Sequence, residues 1–156
     1  MFPYFETQRL TAAPVCDTAG AYAAGDLIGG KLTVTPAVRL QGFGGILTRI
    51  TLADKAKQNA PIDVVFFIAD PDATTFTDQA AFDPADADLL NAFHVSILAT
   101  DYASFNDNSE ATVSNVGAAF RLASGSLALY AALVCRGTPT YVAADDLQLT
   151  VAIAED

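Results

Sequence analysis

The residues able to do chemistry in this chain are few and scattered. One histidine, His94, and two cysteines, Cys16 and Cys135, occur in 156 residues. A serine or cysteine nucleophile needs a base within hydrogen-bond reach and a third group that orients the base. His94 instead opens an apolar stretch, and no G-x-S-x-G is present. A cupin-type metal site needs several histidines on one face, and only one exists. Gly42-Phe43-Gly44-Gly45 does not make a phosphate cradle, because Leu47 stands where G-x-G-x-x-G has its last glycine. The residues after Gly45 also read as a strand rather than a helix, so the glycines mark a turn or bulge.

Carboxylates are more plentiful. Asp70, Asp72 and Asp78 invite a calcium-loop reading, but Thr75 occupies the position of the turn glycine and Ala81 that of the bidentate glutamate. A looser calcium site on the three aspartates and backbone carbonyls stays open beside a plain solvated loop. Asp83, Asp86 and Asp88 have a simpler use, as the acidic start of a short helix with Asp83 as N-cap and Pro84 at its first position. A glycosidase pair needs carboxyls about 5–10 Å apart across a cleft, a relation that sequence does not display. The expectation is a protein that is not an enzyme, with no cofactor and no metal.

Charge narrows the partners. Eight basic residues against eighteen acidic ones give a net charge of −10, and no basic cluster is present. Such a surface repels nucleic acid and anionic membranes. The start of the chain lacks a basic region followed by an apolar one, and no apolar run approaches the ~18 residues of a membrane span. The expected partners therefore exclude nucleic acid and membrane. Cys16 and Cys135 form no CxxC or Cys/His cluster and read as free, buried thiols of a protein made in a reducing cytoplasm.

The elements that would position these residues are strands. Residues 61–71, Pro-Ile-Asp-Val-Val-Phe-Phe-Ile-Ala-Asp-Pro, are apolar at both parities over about eight residues, the pattern of a strand covered on both faces. Leu127–Cys135 has the same character. A two-layer sandwich covers each strand once, so the surplus faces call for a second cover. The short helix, near 84–92, is expected over one and a partner subunit over the other. Val65 and Phe67 should then be at least partly covered.

Elsewhere one face is enough. Thr7–Ala12 alternates weakly. Lys31–Thr35 reads as a short strand, with glycines at 25, 29 and 30 as tight turns around Asp26-Leu27-Ile28. Ile46, Thr48, Ile50 and Leu52 share one face of a strand, and the short linker Asp54–Ala60 suggests an antiparallel pair with the strand after it. His94–Thr100 resumes strand character before a turn-rich segment, Asp101–Glu110. Val116, Ala118, Phe120 and Leu122 share a face, and Leu147, Leu149, Val151 and Ile153 alternate with small or polar residues in the last strand. The sum is an all-β, single-domain chain, 1–156, of about eight strands: a β-sandwich with a jelly roll as its leading topology. An N-terminal arm of about residues 1–6 carries Phe2, Tyr4 and Phe5.

Several segments carry a family likeness: Tyr22-Ala23-Ala24-Gly25-Asp26-Leu27-Ile28-Gly29-Gly30, Leu52-Ala53-Asp54-Lys55, Phe66-Phe67, Asp70-Pro71, Thr77-Asp78-Gln79-Ala80-Ala81-Phe82, Leu129-Tyr130 and Thr138-Pro139-Thr140-Tyr141. With the terminal strand from Asp146-Leu147, the chain resembles small virion proteins of tailed bacteriophages, some of which are capsid decoration or cement proteins. The resemblance runs from about Tyr22 to the end. It implies a protein made in the host cytoplasm that sits on the capsid outer surface and bridges major capsid protein subunits, as a homotrimer at threefold positions. On that reading Phe2, Tyr4 and Phe5 meet the shell, and the 72–82 excursion with Phe76 and Phe82 meets a neighbour. The alternative is a carbohydrate- or receptor-binding jelly-roll module of the tail or virion, using Tyr22, Tyr102, Tyr130 and Tyr141.

Overall fold

The computed structural model describes residues 7–155. The described residues form nine strands: β1 (Thr7–Ala12), β2 (Leu27–Val34), β3 (Gly44–Asp54), β4 (Ile62–Phe67), β5 (Ala92–Ile97), β6 (Tyr102–Ser104), β7 (Ser109–Arg121), β8 (Leu129–Cys135) and β9 (Leu147–Glu155). They form a five-stranded sheet, β1-β9-β3-β7-β6, and a four-stranded sheet, β2-β8-β4-β5. Every pairing is antiparallel. With the three-residue β6 set aside, the pairs β1·β9, β2·β8, β3·β7 and β4·β5 nest one inside the next, and alternate pairs fall in opposite sheets. That winding is the jelly roll.

The core lies between the sheets. Leu47, Ile50, Leu52, Leu147, Leu149, Val151 and Ile153 face Ile62, Val64, Phe66, Leu129, Leu133 and Ile97, all essentially inaccessible. The alternation in the last strand therefore reads correctly, apart from Ala152, which is buried on the outer side. Cys16 and Cys135 are free and buried, and burial pushes the Cys16 thiol up to about 12.

Four sequence expectations need correction. First, β3 and β4 are not a hairpin: the 54–60 linker crosses from one sheet to the other. The corner is held by Asp54, itself buried, whose carboxylate accepts the Asn59 N–H at 2.9 Å while Lys57 and Asn59 take positive φ. Second, β3 does not keep one parity. The register with both neighbours shifts between Leu47 and Arg49, so Leu47 points inward with Ile50 and Leu52 while Ile46 is turned out to 43% exposure. The extra residue is Thr48, a β-bulge whose hydroxyl donates to the Ala152 carbonyl at 3.0 Å. Opposite it, Asn115 and Gly117 have φ of 57° and 65°.

Third, Gly29 and Gly30 lie inside β2, where the register slips between Ile28 and Leu32. Gly29 has φ +72°, and a Cβ there would come within 2.7 Å of the Pro14 side chain. Fourth, the helix is one turn, α1 (Asp86–Leu89), with Ala85 rather than Asp83 as N-cap and no side-chain cap. Pairing of Ala92 with Phe67 takes the following residues into β5. Asp88 turns inward to accept the Thr74 hydroxyl at 2.6 Å, and Thr74 also accepts the Ala85 N–H.

Candidate interaction surface

The outer face of the four-stranded sheet carries Phe67, Ala132 and Leu27, with Val65 and Tyr130 beside them. Phe67 is 1% exposed and Val65 half-buried. Their cover is the excursion between β4 and β5: Phe76 stands edge-on to Phe67 at 6.3 Å between ring centres, and Phe82 lies 5.5 Å from Phe76. Backbone bonds tie the excursion down, with Leu27 N–H to the Ala80 carbonyl and Gln79 N–H to the Leu27 carbonyl. One loop thus covers β4 and its neighbour β8 together. The surplus apolar faces do not need a partner subunit, and the helix contributes little of the cover. Phe76 and Phe82 are half-buried on their own sheet.

The aspartates of this loop diverge. Asp70 meets Lys31, whereas Asp78 accepts the Tyr22 hydroxyl at 2.8 Å and the Gly29 N–H at 2.7 Å. Among the described residues no three His, Cys, Asp or Glu side chains gather as a metal site would require. A cleft of about 260 Å³ beside the loop is lined by Asp63, Val65, Pro84, Leu89, His94 and Arg136 among others. Burial pushes Asp63 up, but hydrogen bonds from Ser96 and Arg136, both at 2.6 Å, outweigh it and hold the carboxyl below its ordinary value. No serine, threonine or cysteine among the described residues lines this cleft.

The outer face of the five-stranded sheet is built differently. Register places Thr11, Thr150, Thr51 and Thr112 in one row across β1, β9, β3 and β7. Arg9, Ala152, Arg49 and Ser114 form the next row. The Thr51 and Thr112 hydroxyls are 3.5 Å apart, and Thr112 donates to Glu110 at 3.0 Å. Arg9 and Arg49 are exposed. Ala152 between them is 4% exposed, in keeping with two long arginine stems leaning over a methyl group. Arg9, Arg49, Thr51, Glu110, Thr112 and Thr150 line a shallow trough of about 360 Å³. Ile46, turned out by the bulge, extends the face toward exposed Phe43 and Leu40. Sequence reasoning puts Arg49, Thr51 and Thr150 on the parity opposite the expected core face of their strands and Ile46 on that core face; bringing the open face together takes the register.

Phe2, Tyr4 and Phe5 lie outside the described residues. The tyrosines of the carbohydrate alternative do not form an exposed platform. Tyr22 and Tyr141 are buried against each other, the Tyr102 hydroxyl donates to the Ala60 carbonyl at 2.7 Å, and half-buried Tyr130 lies under Lys31.

The winding defines a jelly-roll β-sandwich in which the outer face of the five-stranded sheet has no apolar cover among the described residues. No protein-family model and no curated protein matches the chain. Among solved structures it is similar to a chain of the native virion of Kashmir bee virus at neutral pH, at 10% identity and a TM-score of 0.29, over 96% of this chain and 68% of that one. A likeness of that size carries no weight for fold or role. No helix among the described residues is long and apolar enough to cross a membrane.

Proposed function

We propose that this protein is a structural virion protein of a tailed phage that binds the outer surface of the capsid shell and stabilises it by bridging major capsid protein subunits. The observation that carries the reading is the asymmetry of the sandwich: the chain's own loop covers the apolar patch of one outer face, whereas the other carries a polar row with no cover among the described residues. The resemblance of the sequence to small phage virion proteins supports it and supplies the trimeric arrangement at threefold positions. A ligand that binds only the assembled lattice stabilises that lattice by mass action, so modest contacts repeated over a shell suffice. The N-terminal arm fits the same task. It precedes β1 in the sequence, and the shell-contact role of Phe2, Tyr4 and Phe5 is what the resemblance implies.

The test is to mix purified protein with mature shells that lack it, pellet the shells and image them by cryo-electron microscopy. Co-pelleting with added density at threefold positions is expected. Density on the tail, or no binding, would overturn the reading. Deleting Met1–Phe5 should weaken pelleting and leave the fold intact.

A further inference from the structure

We propose that the bare face of the five-stranded sheet is a docking site for a carboxylate-bearing protein surface, held by Arg9 and Arg49 on either side of Ala152 and seated on the threonine row below them. The proposal deepens the shell-binding reading by naming the chemistry of the partner's surface.

Charge is spread unevenly over the molecule. The chain is strongly acidic, yet among the described strand residues of this face stand Arg9, Arg49 and Arg121 against one acid, Glu110. The Arg121 side chain is used within the chain, donating to the Gly42 carbonyl at 3.1 Å, and Glu110 is engaged by Thr112. Arg9 and Arg49 have no carboxylate partner among the described residues, in a protein where acids outnumber bases by more than two to one. The acids lie elsewhere. Residues 70–92, across the sandwich, hold six aspartates and no lysine or arginine.

Magnitudes decide which field a partner feels. The two sheets of a sandwich are about 10 Å apart, and the Debye length at physiological salt is about 8 Å. The six loop acids lie on the far side of the sandwich, so a surface approaching the open sheet meets Arg9 and Arg49 at closer range than those six. Arg9 and Arg49 belong to strands on either side of β9, so their Cα atoms are about 10 Å apart. A carboxylate seated above Ala152 would lie between the two arginines, forked to one of them or sharing one oxygen with each. The threonine row supplies the Thr11, Thr51 and Thr150 hydroxyls, with Glu110 at one end of the trough, and Ile46 and Phe43 give the margin an apolar contact.

A second copy is the poorer occupant. The acidic loop and the basic face lie on opposite sides of the sandwich, so copies stacked through them would run on as an open filament instead of closing. Duplex nucleic acid is the poorer polyanion, since two uncommitted arginines neutralise too few phosphates.

The test uses the full ¹⁵N-labelled chain titrated with poly-L-glutamate at low ionic strength, followed by amide shifts. The largest shifts should fall in β1, β3 and β9 around Arg9, Arg49 and Thr150, and fade as salt is raised. Arg9→Glu/Arg49→Glu should weaken binding about tenfold or more with an unchanged thermal midpoint, and Arg9→Lys/Arg49→Lys should restore part of it. A footprint on another surface, undiminished binding by the glutamate variant, tighter binding of duplex DNA on the same residues, or self-association that the glutamate variant abolishes would each overturn the proposal. The same variants in the shell-pelleting assay separate the two readings. Wild-type protein that ignores shells but shows the polyglutamate footprint removes the shell reading alone. Wild type and glutamate variant that pellet equally remove this proposal alone.

Discussion

On the outside of β4 and β8, Phe67 and Ala132 lie beneath Phe76 and Phe82; at corresponding places on the outside of β3 and β9, Thr51 and Thr150 lie beneath no described apolar cover. Both sheets contribute an inner face to the same core, so the difference arises wholly from the residues at the other parity. A large apolar side chain turned outward gains about 1.5–3 kcal/mol on being covered, enough to draw a polar loop across it. Threonine offers no such gain, and the sheet stays open. The covered face adds to the core of the fold, whereas the open one adds little to it.

That contrast can be tested by mutation. Phe67→Ala should cost about 3–5 kcal/mol, read as a drop in urea midpoint at unchanged slope, because the ring is enclosed between sheet and loop. Phe76→Ala removes only part of the lid and should cost about 1.5–3 kcal/mol, with a rise in binding of a hydrophobic dye as Phe67 is uncovered. A loss under about 0.5 kcal/mol in either variant would mean that the loop does not seal the sheet.

Thr74→Val takes the hydroxyl from buried Asp88 and should cost about 1–3 kcal/mol. Hydrogen exchange in the 70–92 loop should report the loss first. At the opposite corner, burial raises the Asp54 carboxyl above its ordinary value, against backbone N–H groups of Asn59, Gln58, Ala56 and Lys57 that pull it down. A raised acid contributes stability that is complete below its unfolded value and is lost as pH rises through its folded value. Asp54→Asn keeps an acceptor for Asn59 without the charge. Wild type and variant should therefore melt together in acid, and the variant modestly higher as pH climbs. A gap that closes toward neutral pH would contradict the assignment. Thr51→Ala and Thr150→Ala on the open face should change stability by no more than about 0.5 kcal/mol, and the partner-binding assays alone should register them.

Much of the architecture is legible in sequence, for reasons that locate the failures. Leu147, Leu149, Val151 and Ile153 repeat every second residue, and the doubled apolar faces of 61–71 and 127–135 announce burial on two sides. What covers them is not announced, since a polar excursion with two phenylalanines reads as readily as a contact for a neighbour as for its own sheet. The Thr48 bulge is hidden because Ile46 and Leu47 are equally apolar, so either parity satisfies the pattern. The residues opposite, Asn115 and Gly117, suit the positive φ they adopt but say nothing about which strand they face. The sheet crossing at 54–60 depends on burying Asp54, and the arginine pair on a register between residues over a hundred positions apart.

The nested order of strand pairs bears on how the molecule folds. Closing β4·β5 shortens the loop that β3·β7 must close, which in turn shortens those of β2·β8 and β1·β9, and loop-closure entropy grows with loop length. The chain can zip outward from its middle, and on that order β1, the outermost partner of the nested pairs, would dock last. Amides of β1 should exchange faster than those of β9, β3 and β7 in its sheet and gain protection later than these in a refolding pulse. Because Arg9 rides on β1, the pairing of Arg9 with Arg49 across Ala152 is complete only once β1 has docked on β9.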